Sequence, residues 1–214
     1  MRYQAVIFDL DGVIVSTDKF HFLAWSKITE QENIYFDEVI NHQLRGISRK
    51  DSLEIILRNA KKDYSEEEKE ILMTLKNDHN RKLLTKLTPI DISPNIVDVI
   101  NYLQENKVKI AVASSSKNAK FILKQLGLYN NFDVIIDGSD IKKSKPNPEI
   151  FILASKQLNI NPKDCLVVED AIAGIQAAKG AGMSTFAVGE ATKLQLADYN
   201  TNNLLDIIKL MEII

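Results

Sequence analysis

The chain of 214 residues is poor in cysteine: Cys165 is the single one, so no internal disulfide can form. It sits in an apolar run, which points to a buried thiol in a reducing compartment. An excess of one charge is also missing. Lys and Arg number 27 against 29 Asp and Glu, a formal net charge of −2. That balance speaks against a nucleic-acid binder, which is usually basic. No apolar stretch approaches the roughly 20 residues of a membrane span. An aspartate stands within the first ten residues and no long apolar segment follows, so no secretory leader is expected. Repeats and low-complexity tracts are absent. The expectation is a soluble, cytoplasmic protein with neither membrane nor nucleic-acid partners. No long heptad or apolar stripe demands a dimer, so a monomer is expected. With 45 % hydrophobic residues, the chain can build one large domain, or a core with a smaller insertion.

What is present alternates. Short apolar runs at Gln4–Asp9, Val108–Ala113, Val134–Ile136, Leu166–Val168 and Thr185–Val188 read as strands apolar on both faces, as in a parallel sheet. Helical patterns lie between them. Ala119, Ile122, Leu123 and Leu126 recur at helical spacing before a stop at Gly127. Asn147-Pro148 reads as an N-cap and first-turn proline ahead of Phe151, Ala154 and Leu158. This alternation predicts a doubly wound α/β fold with a mainly parallel sheet. Residues 17–88 break the rhythm with at least three helices and no convincing strand. One stripe is Phe20, Leu23, Ala24 and Ile28, and a second is Leu53, Ile56, Leu57 and Ala60 behind Ser48. Ser65 and Glu68 open a third helix through a capping box. The expected division is an α/β core of residues 1–16 and 89–214 with an inserted helical domain, 17–88. Its hinges are Val15-Ser16-Thr17 and the stretch from Leu87 to Pro94.

In open α/β sheets ligands gather beyond the carboxyl ends of the strands, and the polar residues here fall at those ends. Asp9 and Asp11 follow the first run, two apart and so on one face, with Gly12 to let the backbone turn. Ser114-Ser115-Ser116-Lys117-Asn118 follows the second, Ser144-Lys145-Pro146 follows the third by way of a loop, and Glu169-Asp170 follows the fourth. Taken singly, the serines or Asp170 could merely cap helices, and Lys145 could be a solvated loop charge. Together, at successive strand exits, they fit a phosphoryl group held beside a magnesium ion. Asp9 would attack phosphorus, Lys145 and the cation would shield the repulsion, and Ser114 with nearby N–H groups would hold phosphoryl oxygens. Asp11 would shuttle a proton to and from the sugar oxygen. Asp9, Asp11, Glu169 and Asp170 are the expected metal ligands.

These segments resemble the haloacid dehalogenase superfamily of phosphotransferases: D-x-D-G after strand one, Ser/Thr after strand two, a lysine, then paired acids. The helical insertion is similar to that family's C1-type cap. Further stretches, Thr17, His21 and Trp25, then Leu44 to Ser52, then Lys76-Asn77-Asp78, resemble its sugar phosphomutases. That resemblance implies Mg²⁺-dependent interconversion of β-glucose 1-phosphate and glucose 6-phosphate, with glucose 1,6-bisphosphate as intermediate and activator. A sugar-phosphate phosphatase is the alternative. Carried over, Arg49 would clamp the distal phosphate with Lys117 and Asn118 helping, alongside Ser115 and Ser116. His21 and Lys76 would reach from the cap to the reacting end. Gly46, Ser48 and Ser52, with Thr17, Trp25, Arg45 and Ile47, would line the sugar pocket. Two positions depart from the family pattern. Ser16 stands where many relatives carry an acid, and Ser115 replaces a smaller residue.

Overall fold

The computed structural model describes residues 1–212. Six strands form one sheet in the order β3-β2-β1-β4-β5-β6. They are β1 (Ala5–Phe8), β2 (Lys109–Ala113), β3 (Val134–Ile136), β4 (Cys165–Glu169), β5 (Ser184–Ala187) and β6 (Tyr199–Asn200). Every pairing is parallel, with Ile7 opposite both Ala111 and Val167. The fold is thus the expected parallel α/β one, with β6 added at the edge. Side chains of one strand point alternately to opposite faces, and the apolar runs fill both. Val6, Phe8, Ile110, Val112, Leu166 and Val168 join one buried cluster. It is completed by α5 (Ile96–Glu105), α6 (Ala119–Gln125) and α9 (Asp206–Glu212). Ala5, Ile7, Ala111, Ala113, Cys165 and Val167 join the other, beneath α7 (Glu149–Leu158) and α8 (Ile172–Gly180). Cys165 is a free, buried thiol whose pKa burial pushes up to about 12.

Residues 18–84 carry four helices: α1 (Asp18–Gln31), α2 (Glu38–His42), α3 (Arg49–Leu57) and α4 (Glu66–Leu84). They enclose their own cluster of Trp25, Ile28, Ile34, Leu44, Leu53, Ile56, Leu72 and Met73. The capping box on α4 is formed by Ser65 and Glu68, and Ser48 caps α3 by accepting the Asp51 N–H. The two connections to the core run side by side: Val15 bridges Ile92, and the Ser93 N–H reaches the Ile14 carbonyl at 2.8 Å.

Two local expectations are corrected. Leu23 is 43 % exposed, because α1 turns Ala24, Trp25, Ile28 and Thr29 inward instead. Pro148, not Asn147, holds the N-cap position of α7, while the Asn147 side chain accepts the Glu149 N–H at 3.1 Å. The bland alternative for Asp170, a cap on α8, is not what the structure shows. Ala171 stands at that position, leaving the Asp170 carboxylate free for the cleft. Among the described residues no helix is long and apolar enough to cross a membrane.

Candidate active site

The carboxyl ends of β1, β2 and β4 open into a cavity of about 1110 Å³ between the sheet and the four-helix block. Asp9 leaves β1 with its N–H bonded to the Val168 carbonyl at 2.9 Å, and its side chain is 8 % exposed. The Lys145 ammonium, 1 % exposed, donates to Asp9 Oδ1 at 2.5 Å, to the Ala113 carbonyl at 3.1 Å and to Glu169 Oε1. Glu169 is fully buried, and its Oε2 accepts the N–H groups of Asp170 and Ala171 at 3.0 Å each. Burial works to lower the Lys145 pKa, but the carboxylates of Asp9 and Glu169 outweigh it and hold the ammonium above its ordinary value.

Carboxylate oxygens of Asp9, Glu169 and Asp170 lie within 4.8 Å of one another. Burial raises the Asp9 pKa well above the carboxylate range against the pull of Lys145, and burial with repulsion from Glu169 raises Asp170 to about 7. Three crowded acids against one ammonium resist being ionised together without a further cation, and the donors are all hard oxygens. That set suits a small divalent cation. Asp11, the fourth expected ligand, is not in this group. Its carboxylate is turned to the Thr17 hydroxyl, which donates to Oδ1. Burial raises the Asp11 pKa, opposed chiefly by the Thr17 bonds. Thr17 is buried, does not line the cavity, and spends its hydroxyl on Asp11 rather than on a ligand.

Two glycines make room for these acids. A Cβ on Gly12, whose φ is +81°, would stand 2.0 Å from Asp170 Oδ2, and one on Gly174 would stand 1.9 Å from Glu169 Oε1. Gly12 belongs to the D-x-D-G run, but Gly174 went unnoticed in the sequence. Its signal was a glycine interrupting the otherwise favourable helix of α8, a position that usually has a packing reason.

Ser114, 2 % exposed, accepts the Ser116 N–H at 3.1 Å, and the Ser116 hydroxyl accepts the Asn118 N–H at 3.2 Å. The loop after β2 is thereby wound with its serines and Lys117 on the cavity. Ser115 bridges the cleft, its hydroxyl donating to the Gly46 carbonyl at 2.9 Å.

From the helical block come His21, Arg45, Gly46, Ile47, Ser48, Arg49, Ser52 and Lys76, all lining the cavity. Lys76 is 2 % exposed, 3.1 Å from His21 Nδ1 and 5.1 Å from the ring centre of Trp25. Burial, with Arg49 adding repulsion, lowers Lys76 to about 7. Burial and the neighbouring Lys76 also hold His21 well below its usual pKa, so the imidazole is neutral. Trp25 is part of the block's own core as well as of the cavity wall. Arg45 is ion-paired to Asp18, with Nε 3.1 Å from Oδ2. Sequence reading gave no role to Asp51, Asn77 or Ser144. Ser144 donates to the Asp51 carboxylate across the cleft, and Asn77 bonds both Arg49 and Asn118.

The sheet and the acid–lysine cluster at its carboxyl edge define a class of phosphoryl-handling α/β protein. The chain belongs to the haloacid dehalogenase-like hydrolase family, whose sequence model matches residues 3–182. Within that family it is 46 % identical over 197 residues to the β-phosphoglucomutase of Bacillus subtilis, covering 91 % of this chain and 87 % of that protein. The crystal structure of a β-phosphoglucomutase from Clostridium difficile superimposes with a TM-score of 0.92 at 40 % identity, covering 97 % and 96 % of the two chains. A phosphorylated carbohydrates phosphatase of Thermotoga maritima is 29 % identical over 84 % of this chain and 82 % of its own length.

Proposed function

We propose that the protein is a Mg²⁺-dependent β-phosphoglucomutase, interconverting β-D-glucose 1-phosphate and glucose 6-phosphate through glucose 1,6-bisphosphate. The observation that carries this reading is the Asp9 carboxylate, nearly buried against Lys145 at the floor of a cavity whose opposite wall holds Arg49. A single acidic centre with a second cationic centre across from it suits a substrate that carries a phosphate at each end.

Asp9 attacks phosphorus. The new bond is Asp9 carboxylate oxygen to phosphorus, and the bond that breaks is phosphorus to sugar oxygen. Asp11, whose pKa burial raises above its ordinary value, gives a proton to the departing sugar oxygen. In the other half of the cycle Asp11 takes a proton from the free hydroxyl of a bound glucose monophosphate, and that oxygen accepts the phosphoryl group from Asp9 to give glucose 1,6-bisphosphate. Lys145 neutralises charge between Asp9 and the phosphoryl oxygens, and Ser114 with the N–H groups behind it holds one of those oxygens. Asp9, Glu169 and Asp170 would hold Mg²⁺, which when bound offsets the repulsion between carboxylate and phosphoryl oxygens.

Arg49 grips the distal phosphate with Lys117, Asn118, Ser115 and Ser116. A planar guanidinium serves whichever end of the bisphosphate is presented. Gly46, Ile47, Ser48, Ser52, Trp25 and Arg45 shape the sugar site, and His21 and Lys76 position its reacting hydroxyl. In this reading residues 17–88 act as a cap that hinges on the core of 1–16 and 89–214 and excludes water from the phosphorylated Asp9. The enzyme is taken to be a cytoplasmic monomer, with glucose 1,6-bisphosphate as its activator.

The phosphatase relative favours a second reading, in which water takes the phosphoryl group. Incubation with β-glucose 1-phosphate, Mg²⁺ and a trace of glucose 1,6-bisphosphate separates the two. Glucose 6-phosphate should far exceed inorganic phosphate. Dominant release of inorganic phosphate would reject the mutase reading in favour of hydrolysis.

A further inference from the structure

Asn77 lies on α4 between the buried Lys76 and the exposed Asp78. Its side-chain oxygen accepts two hydrogen bonds, from Arg49 Nη2 at 2.7 Å and from Asn118 Nδ2 at 3.0 Å. An amide oxygen has two lone-pair sites, so both are committed. Arg49 belongs to α3 of the helical block, and Asn118 to the loop after β2 in the core. One atom therefore joins side chains from the two walls of the cleft. Asn118 is fixed from its other end as well. Its Oδ1 accepts from Arg81 Nη1 at 3.4 Å, and the Arg81 guanidinium lies 4.2 Å from the ring centre of Phe121. Asn77 and Arg81 are four apart on α4 and so share one face.

The nature of the partner matters. A carboxylate at this point would pair with Arg49 and neutralise it. An amide orients the guanidinium while leaving its charge intact and its remaining N–H groups free for an anion. Among the described residues Arg49 has no ion pair within 4 Å, although burial already lowers its pKa. A half-buried cation held by a neutral group is arranged to meet an incoming negative charge.

We propose that Asn77 is a positioning residue for the distal phosphate: it presets Arg49 and Asn118 as one clamp and so ties phosphate capture to closure of the helical block. This rests on the mutase reading for the identity of the substrate, though not for the clamp itself. The test compares wild type with Asn77→Ala, Asn77→Asp and Arg49→Ala in two ways. The first is steady-state turnover of β-glucose 1-phosphate. The second is calorimetric binding of glucose 6-phosphate in the presence of Mg²⁺, which needs no turnover. Asn77→Ala should raise KM and Kd about tenfold while kcat changes by less than threefold, a split that general loosening of the fold would not give. Asn77→Asp, nearly isosteric and so spared the question of folding, should weaken binding further and approach Arg49→Ala. Unchanged Kd in both Asn77 variants, or an Asn77→Asp that binds as well as wild type, would overturn the proposal. If wild type hydrolyses the substrate instead of isomerising it, the mutase reading fails, while the Kd comparison still decides the role of Asn77.

Discussion

Lys76 is the residue whose charge the fold opposes most visibly. Buried on α4 beside His21 and over Trp25, with Arg49 adding repulsion, it titrates near pH 7 instead of near 10.5. In the window between those values the unfolded chain keeps the proton that the folded chain has released. Unfolding therefore takes up a proton there, and stability rises as pH climbs through the window. Below the lower value both states are protonated, and the full cost of burying the ammonium is present. A tenfold loss of proton affinity on folding corresponds to about 1.4 kcal/mol. Lys76→Met should therefore be more stable than wild type near pH 7 by about 2 kcal/mol or more, with the advantage shrinking as pH rises to about 9.5. Urea denaturation of both proteins at the two pH values reads this directly. A difference that does not change with pH would mean that Lys76 is charged in the fold throughout. The resemblance motif pointed to Lys76, and the fold places it on the cavity wall. Its depressed pKa was not, because burial beside Trp25 and Arg49 is assembled from α1, α3 and α4.

At the scale of elements, what local pattern encodes was legible and what packing decides was not. The capping box of Ser65 and Glu68 and the cap at Ser48 could be read because hydroxyl and partner are three residues apart in sequence. The strands β1, β2 and β4 could be read because each carries four consecutive apolar residues. The edge strand β6, Tyr199–Asn200, is too short to leave a run, and α2, Glu38–His42, too short to leave a stripe. Gly174 illustrates the second kind. In isolation, replacing a helical glycine by alanine stabilises by up to about 1 kcal/mol. Here the added Cβ would stand 1.9 Å from Glu169 Oε1, and relieving that overlap means moving α8 or the carboxylate that holds Lys145. Overpacking of this kind costs about 1–3 kcal/mol. Gly174→Ala should therefore destabilise the protein and weaken its affinity for Mg²⁺. A rise in the urea midpoint with unchanged metal affinity would show that Glu169 does not need the space.

At the scale of the molecule, the contacts that join block to core link residues far apart in the chain: Ser115 to Gly46 with a separation of 69, Ser144 to Asp51 with 93, Asn118 to Asn77 with 41. No local pattern announces such pairs, which is why the helical insertion was visible in the sequence while its fastening was not. Ser115 is the informative one. Its hydroxyl donates to the Gly46 carbonyl at 2.9 Å and so favours the closed cleft. A neutral hydrogen bond of this kind contributes about 1 kcal/mol net, enough to shift the ratio of closed to open forms roughly fivefold. In the mutase reading an open cleft would expose a phosphorylated Asp9 to water, so loss of this bond should divert turnover toward hydrolysis. Ser115→Ala is expected to raise the inorganic phosphate released per glucose 6-phosphate formed by a factor of about two to five. Adding Asp51→Asn, which weakens the Ser144 contact on the same side of the cleft, should raise it further. Both products can be followed in one reaction mixture. If the partition stays at its wild-type value in the double variant, closure is governed by the bound substrate alone, and these cross-cleft bonds do not hold water out.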